Sequence, residues 1–123
     1  MKLYHAKSSY SIFVPFKQEE TVRLIQEEIM TNGPIEAMFY LFSDFQQYSH
    51  GVYQRGVDAN YMCYHAVKII GWGIDADTSV PYWLCSNIWG NEWGEDGLFR
   101  IRRGTDECAI ETFVEAGLVK VEN

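Results

Sequence analysis

The chain has 123 residues, enough for one small domain or for half of a larger one. Because 47% of the residues are apolar and 15% aromatic, it can form a packed core and does not have the composition of a disordered protein. Its formal net charge of −7 argues against a nucleic-acid partner, because phosphate binding requires a basic surface. No apolar run is long enough to cross a membrane and no signal peptide is recognisable, so we expect a cytosolic protein or a piece of a longer chain.

The first element with a clear period is a helix, predicted over residues 18–31. Apolar residues recur along one face at three- and four-residue spacing, and two more widen that face: Val22, Ile25 and Ile29, with Leu24 and Met30. Asn-Gly-Pro at 32–34 predicts the end of the helix, because glycine readily takes the left-handed conformation found there and proline cannot continue a helix. Before the helix, residues 9–16 are predicted to be an extended segment or edge strand that ends at Pro15.

The rest of the chain is predicted to form a sheet. Strands are expected at 34–42, 52–54, 65–73, 82–89 and 98–103, followed by a short turn and a closing strand within 109–121. Segment 65–73 is mostly apolar and β-branched, so we expect it to be buried on both faces and to pair with 82–89 in an antiparallel hairpin. Together these elements predict an α+β or barrel-like domain with one N-terminal helix and a strongly coiled antiparallel sheet.

The three cysteines, Cys63, Cys85 and Cys108, all stand in apolar surroundings. An odd number leaves at least one thiol unpaired, and no two of them have the spacing of a zinc site. We therefore expect free, buried cysteines that act as small apolar residues, and neither a metal site nor a cofactor.

One histidine and one asparagine suggest chemistry through their positions in the predicted hairpin. His65 begins one strand and Asn87 lies near the end of the next, so pairing would bring them side by side. An amide oxygen that accepts a hydrogen bond from one ring nitrogen determines which nitrogen can move a proton. Trp89 and Trp93 would cover this pair and exclude water, which strengthens the hydrogen bond. A single histidine in an apolar run is more often structural than catalytic, so the pattern alone leaves both interpretations open.

Several short motifs follow one another in an order typical of one enzyme family. They are SYS at 9–11, NGP at 32–34, FSDF at 42–45, SHGVYQ at 49–54, HA at 65–66 with GWG at 71–73, PYW at 81–83, and N-x-W, WG and G between 87 and 97. Through this set, spread over residues 8–118, the chain resembles the C-terminal half of papain-like cysteine peptidases, and cathepsin B-like members most closely. Each motif is weak alone, whereas the ordered set is specific.

The resemblance implies a fold and a role for each matching residue. It implies that residues 1–123 form the right domain of the papain-like fold, a coiled antiparallel sheet or barrel, and that the helical left domain is absent from this chain. His65 is similar to the catalytic histidine and Asn87 to the asparagine that orients it. Trp89 matches the tryptophan that shields this pair, and Trp93 matches an indole beside the primed side of the cleft.

The resemblance also places Tyr64, Ala66 and Phe113 at the substrate pocket. Tyr64 stands where cathepsin B-like chains have glycine, and its phenol is expected to narrow the cleft. Phe113 stands where they carry a glutamate at the floor of the pocket for the P2 side chain, which belongs to the second residue before the cleaved bond. We therefore expect a preference for apolar or aromatic P2 side chains and none for arginine.

The nucleophile of this family is not recognisable in the 123 residues. The Cys-Trp motif that opens a helix is missing, and so is the glutamine that stabilises the oxyanion. Cys63 is a poor substitute, because residues two apart on a strand are separated by about 6.6–6.8 Å, beyond a thiol–imidazole hydrogen bond. Nucleophilic cysteines also often lie at a helix N-terminus, and no helix is predicted to begin there.

Two hypotheses of different classes follow. In the first, the chain is the His/Asn-bearing half of a cathepsin B-like peptidase, inactive alone, whose partners are a peptide or protein substrate and a missing left domain or pro-peptide. In the second, it is a catalytically inactive remnant that binds peptides or a partner through the domain face that a left domain normally covers. The resemblance implies a lysosomal or extracellular location, and neither hypothesis involves nucleic acid or a membrane.

Overall fold

The computed structural model describes residues 10–87 and 97–116, which form one helix and seven strands. The helix α1 spans Gln18–Asn32. The strands are β1 (Tyr10–Ser11), β2 (Ile35–Phe42), β3 (Val52–Tyr53), β4 (Tyr61–Ile74), β5 (Pro81–Ser86), β6 (Leu98–Arg102) and β7 (Phe113–Ala116). Single 3-10 turns occupy Phe45–Gln47 and Glu107–Ala109. No helix among the described residues is long and apolar enough to cross a membrane.

The strands form one sheet in the order β1–β7–β2–β4–β5–β6–β3. All neighbouring pairs are antiparallel except β3 and β6, which run parallel. Within the described residues the sheet stays open, since β1 and β3 lie at opposite edges and do not pair with each other. The predicted α+β architecture is confirmed. The sheet is mixed, not wholly antiparallel as predicted, and it does not close into a barrel in this part of the chain.

Helix α1 ends where the sequence predicts and packs on one side of the sheet. Ile25 is fully buried, whereas Met30 is 70% exposed, so the prediction that Met30 belongs to the packed face is wrong. Gly33 follows the helix with φ of 93°, and its N–H donates to the carbonyl of Ile29. The positive φ accounts for glycine at this position, because residues with a Cβ atom rarely adopt it.

Strand β4 differs from its prediction in both length and burial. It begins at Tyr61, four residues before His65, because β2 is long enough to pair with it as far as Tyr61. Only alternate residues of its centre are buried: Val67 and Ile69 face the core, whereas Ala66 and Lys68 are exposed. Burial on both faces is therefore wrong, and β4 has one core face and one outer face.

The core lies between the inner face of the sheet and α1. Aromatic rings fill its centre, with Phe39, Phe45 and Phe99 all fully buried. The ring centroids of Phe45 lie 5.1 Å from Phe39 and 4.9 Å from Phe99, in edge-to-face contacts. This packing immobilises β2 and β6 on either side of β4 and β5, the two strands that carry the candidate site.

Candidate active site

His65 lies on the core face of β4, at the border between the packed interior and the surface. It pairs with Phe39 of β2, and the two rings meet edge to face with centroids 6.2 Å apart. Phe39 is fully buried, so one side of the imidazole packs against a well-ordered ring, while the histidine remains partly exposed. A histidine in this position can reach solvent or a substrate without a change in the backbone.

Asn87 follows β5 directly and is 7% exposed. Lys68 pairs with Ser86, so continuing this antiparallel register by one residue puts Asn87 opposite Val67. Asn87 therefore lies diagonal to His65 on the same face of neighbouring strands. Diagonal neighbours are about 7–8 Å apart, a gap that an imidazole and an amide side chain can bridge. The backbone N–H of Asn87 donates to the carbonyl of Gly97 at 3.1 Å, which holds the residue in place.

The two tryptophans of the predicted site, Trp89 and Trp93, lie outside the described residues. Their shielding role stays a prediction. The part of the site that is described consists of an imidazole on β4 and a carboxamide just after the end of β5, on the same face of the sheet. Such a pair can hold and transfer a proton, because the amide can select the tautomer of the ring.

A cavity of about 720 Å³ opens on the outer face of the sheet, beside the His65 position. Ala66 and Phe113, both predicted pocket residues, line it together. Met38 of β2 lies between them, since the register pairs it with Ala66 on one side and with Phe113 on the other. The sequence did not single out Met38, and only the central place of β2 in the sheet gives it this role.

Tyr64, the third predicted pocket residue, lies next to the cavity and not in its wall. It is 62% exposed and pairs with Tyr40 of β2. The ring of Tyr40 contacts those of Tyr61 and Phe113, with centroids 5.6 and 5.9 Å apart. Tyr64 therefore extends an exposed aromatic surface from the cavity along β4.

Charged residues border the other end of the cavity. Glu36 of β2 pairs with Lys68 on one side and with Glu115 of β7 on the other, and all three line the cavity. None of the three forms an ion pair in the described part of the chain. The cavity thus has an apolar middle and one polar end.

The cysteines are all free, and they differ in environment. Cys85 is buried and Cys108 is partly buried, in line with the prediction, whereas Cys63 is exposed, which contradicts it. Burial raises the pKa of Cys85, and burial together with the nearby Glu107 carboxylate raises the pKa of Cys108 to about 12. Neither thiol has the lowered pKa that a nucleophile needs. Cys63 is exposed because no second layer covers this end of β4 among the described residues.

The comparisons with known proteins agree on one family. A family model described as papain family cysteine protease matches residues 4–118. A cathepsin B-like cysteine proteinase from Schistosoma japonicum is 44% identical over 117 residues, which are 95% of this chain and 32% of the relative. A gut-specific cysteine proteinase from Caenorhabditis elegans is 50% identical over 97 residues, 79% of this chain and 29% of the relative.

The solved structures give the same result. Procathepsin B S9 from Trypanosoma congolense superposes with a TM-score of 0.70 at 40% sequence identity, covering 77% of this chain and 32% of that one. The chain therefore spans about a third of the length of these relatives. Since the family model covers nearly the whole sequence and the fold agrees, the chain belongs to the papain family of cysteine proteases and is cathepsin B-like.

Proposed function

We propose that residues 1–123 form the His/Asn-bearing domain of a cysteine peptidase that hydrolyses peptide bonds. The observation that carries the proposal is the shared position of His65 and Asn87 on one face of paired strands, one residue from a cavity wall. The nucleophilic cysteine and the oxyanion donor are supplied by a left domain. The relatives, which are about three times as long as the matched segment, support this division.

In the proposed reaction, a thiolate attacks the carbonyl carbon of the peptide bond, and protonated His65 gives its proton to the leaving amine. The resulting thioester is then attacked by water, whose proton passes to neutral His65 as the thiolate leaves. Asn87 orients the imidazole for both transfers and is not itself protonated. Trp89 and Trp93 complete the proposal as residues that exclude water from this hydrogen bond.

The cavity supports a proposal for the substrate. An apolar or aromatic P2 side chain would rest on Ala66, Met38 and Phe113, which form an unbroken apolar row across three strands. The exposed ring of Tyr64 would border the entrance. By their family, such enzymes act in lysosomes or outside the cell, and we propose the same location for this one.

The test is peptide hydrolysis by the full-length product of the gene that contains these residues. We expect thiol-dependent cleavage of a fluorogenic peptide with phenylalanine at P2, and a loss of about 100-fold or more in kcat when His65→Ala removes the base. The 123-residue chain alone should cleave nothing. Turnover by that isolated chain that disappears in Cys63→Ala would contradict the division into two domains.

A second candidate function is a binding module without catalysis. It is favoured by the exposed aromatic residues around Tyr64, which offer an apolar surface to a peptide or to a partner domain. A gene product no longer than this chain that binds peptides without cleaving them would support this candidate over the first.

A further inference from the structure

A buried carboxylate, which the candidate mechanism does not use, directly precedes the cavity-lining residue Thr112 in the chain. Glu111 is fully buried and accepts hydrogen bonds from four donors. They are the indole N–H of Trp83 at 2.7 Å, the backbone N–H groups of Gly104 at 2.7 Å and Asp106 at 3.2 Å, and the side-chain amide of Gln18. A carboxylate satisfied in this way is firmly fixed, because any displacement would leave buried donors unpaired.

Asp106 in turn accepts hydrogen bonds from Glu111 and its neighbour. Its carboxylate accepts the backbone N–H of Glu111 at 2.9 Å and, through its other oxygen, the hydroxyl of Thr112 at 2.6 Å. Asp106 and Glu111 thus hold each other reciprocally, and we call these two residues with Thr112 the acidic clamp.

The segment between β6 and β7 depends on these side-chain bonds for its path. Asp106, Cys108 and Ala109 all have φ between 52 and 63°, in the left-handed region. Residues with a Cβ atom adopt this conformation at a cost, so the surrounding contacts must maintain it. The acidic clamp provides such contacts immediately before Phe113, the first residue of β7.

Thr112 is the residue of the acidic clamp that lines the cavity. Thr112 and Phe113 both line the cavity, and the Thr112 hydroxyl donates to Asp106, which does not line it. We propose that Asp106 and Glu111 are positioning residues that set the place of the Thr112–Phe113 wall and so determine which side chain the cavity accepts. This inference rests on the proposed peptidase function and adds to it a determinant of P2 selectivity.

The proposal predicts a change in selectivity when the bond between Thr112 and Asp106 is lost. Thr112→Val keeps the shape of the side chain and removes its hydroxyl, so residue 112 loses its hydrogen bond to Asp106. A single hydrogen bond contributes on the order of 1 kcal/mol, about fivefold in a rate ratio. We expect the ratio of kcat/KM for P2-phenylalanine over P2-valine substrates to change by about that factor.

The experiment uses the full-length gene product and two controls. Thr112→Ser retains the hydroxyl and should restore the wild-type ratio. Thr78→Val removes a comparable bond, the Thr78 hydroxyl to the Asp75 carboxylate at 2.9 Å, in a loop whose residues do not line the cavity. It should leave the ratio unchanged even where it lowers the melting temperature. Asp106→Asn, which weakens the clamp directly, should shift the ratio in the same direction as Thr112→Val.

The outcomes separate this inference from the proposed function. A changed ratio in Thr112→Val, restored by Thr112→Ser and absent in Thr78→Val, supports the positioning role. An active wild type whose ratio stays the same in both Thr112→Val and Asp106→Asn overturns the positioning role alone. A wild-type full-length product that cleaves neither substrate overturns the proposed function and this inference together.

Discussion

At the scale of single residues, the burial of the three cysteines can be tested directly, because their thiols react with alkylating reagents at rates that depend on exposure. Cys63 is exposed on β4, Cys85 is fully buried in β5, and Cys108 is partly buried with a pKa raised to about 12. Because alkylation requires both access and a thiolate, iodoacetamide at pH 8 should modify Cys63 at least about tenfold faster than the other two. Mass spectrometry of digested samples would give the three rates.

Two controls accompany this measurement. Cys63→Ser should remove the fast phase and leave the slow ones, and denaturation in urea should bring the remaining two thiols to similar rates. Modification of Cys108 as fast as Cys63 in the folded protein would contradict the described burial.

Part of the site could be predicted from local sequence, and part could not. His65, Asn87 and the pocket residues Ala66 and Phe113 were predicted from the spacing of a hairpin and from a family pattern, which are both visible in the sequence. The structure places Ala66 and Phe113 at one cavity, and the roles of all four stay predictions. The buried Glu111 was not, since one of its donors, Gln18, lies 93 residues away along the chain. A glutamate within the apolar run around 109–114 was the only local signal.

At the scale of elements, strand existence was predicted well and strand environment less well. Helix α1 and strands β2, β5 and β6 lie close to their predicted ranges, because periodicity and turn residues mark them. The prediction failed for the outer face of β4, since an apolar run does not reveal whether a second layer covers it. The parallel pairing of β3 with β6 involves only two residues of each strand, too few to leave a pattern.

The loop between β4 and β5 has a pH dependence that follows from Asp75. Its carboxylate accepts the hydroxyl and the backbone N–H of Thr78, each at 2.9 Å, and lies 3.0 Å from the guanidinium of Arg100. The Thr78 hydroxyl, followed by the Thr78 backbone, lowers the pKa of Asp75 below its usual 3.8. A lowered pKa in the folded state stabilises the protein above the unfolded-state value, and the effect disappears as pH falls through the folded-state value.

We therefore expect Asp75→Asn to lower the urea midpoint of unfolding by a similar amount at pH 7 and pH 5. At pH 3 the difference from the wild type should be smaller. Asp77→Asn in the same loop is the matched control, because its carboxylate accepts no hydrogen bond among the described residues, and it should change little at any of these pH values. A difference between wild type and Asp75→Asn that grows on acidification would contradict this assignment.

At the scale of the whole molecule, the sheet has one face packed against α1 and one face with no layer over it among the described residues. The uncovered side carries an outer patch of exposed apolar side chains: Met38, Tyr40, Tyr61, Met62, Tyr64 and Phe113. An uncovered apolar patch of this kind usually marks an interface. In our proposal the left domain covers the part of this patch that lies outside the cavity, because the relatives have about two-thirds of their length outside the matched segment.

The isolated 123-residue chain should accordingly bind an apolar dye through this patch. We expect the fluorescence of 8-anilinonaphthalene-1-sulfonate to rise with the wild-type chain and to fall by about half or more in the double variant Met62→Lys with Tyr64→Lys, whose side chains are 55% and 62% exposed. Substitutions at such exposed positions change stability by only about 0.5 kcal/mol, so the fold should persist.

The control for this measurement lies on the same strand. Ile74, at the far end of β4, is 65% exposed and outside the outer patch, so Ile74→Lys should leave the dye signal unchanged. The full-length product should also bind less dye than the isolated chain, because the left domain would cover the part of the patch outside the cavity. Equal dye binding by the isolated chain, the double variant and the full-length product would mean that this face is not an interface, and the two-domain arrangement would lose its physical basis.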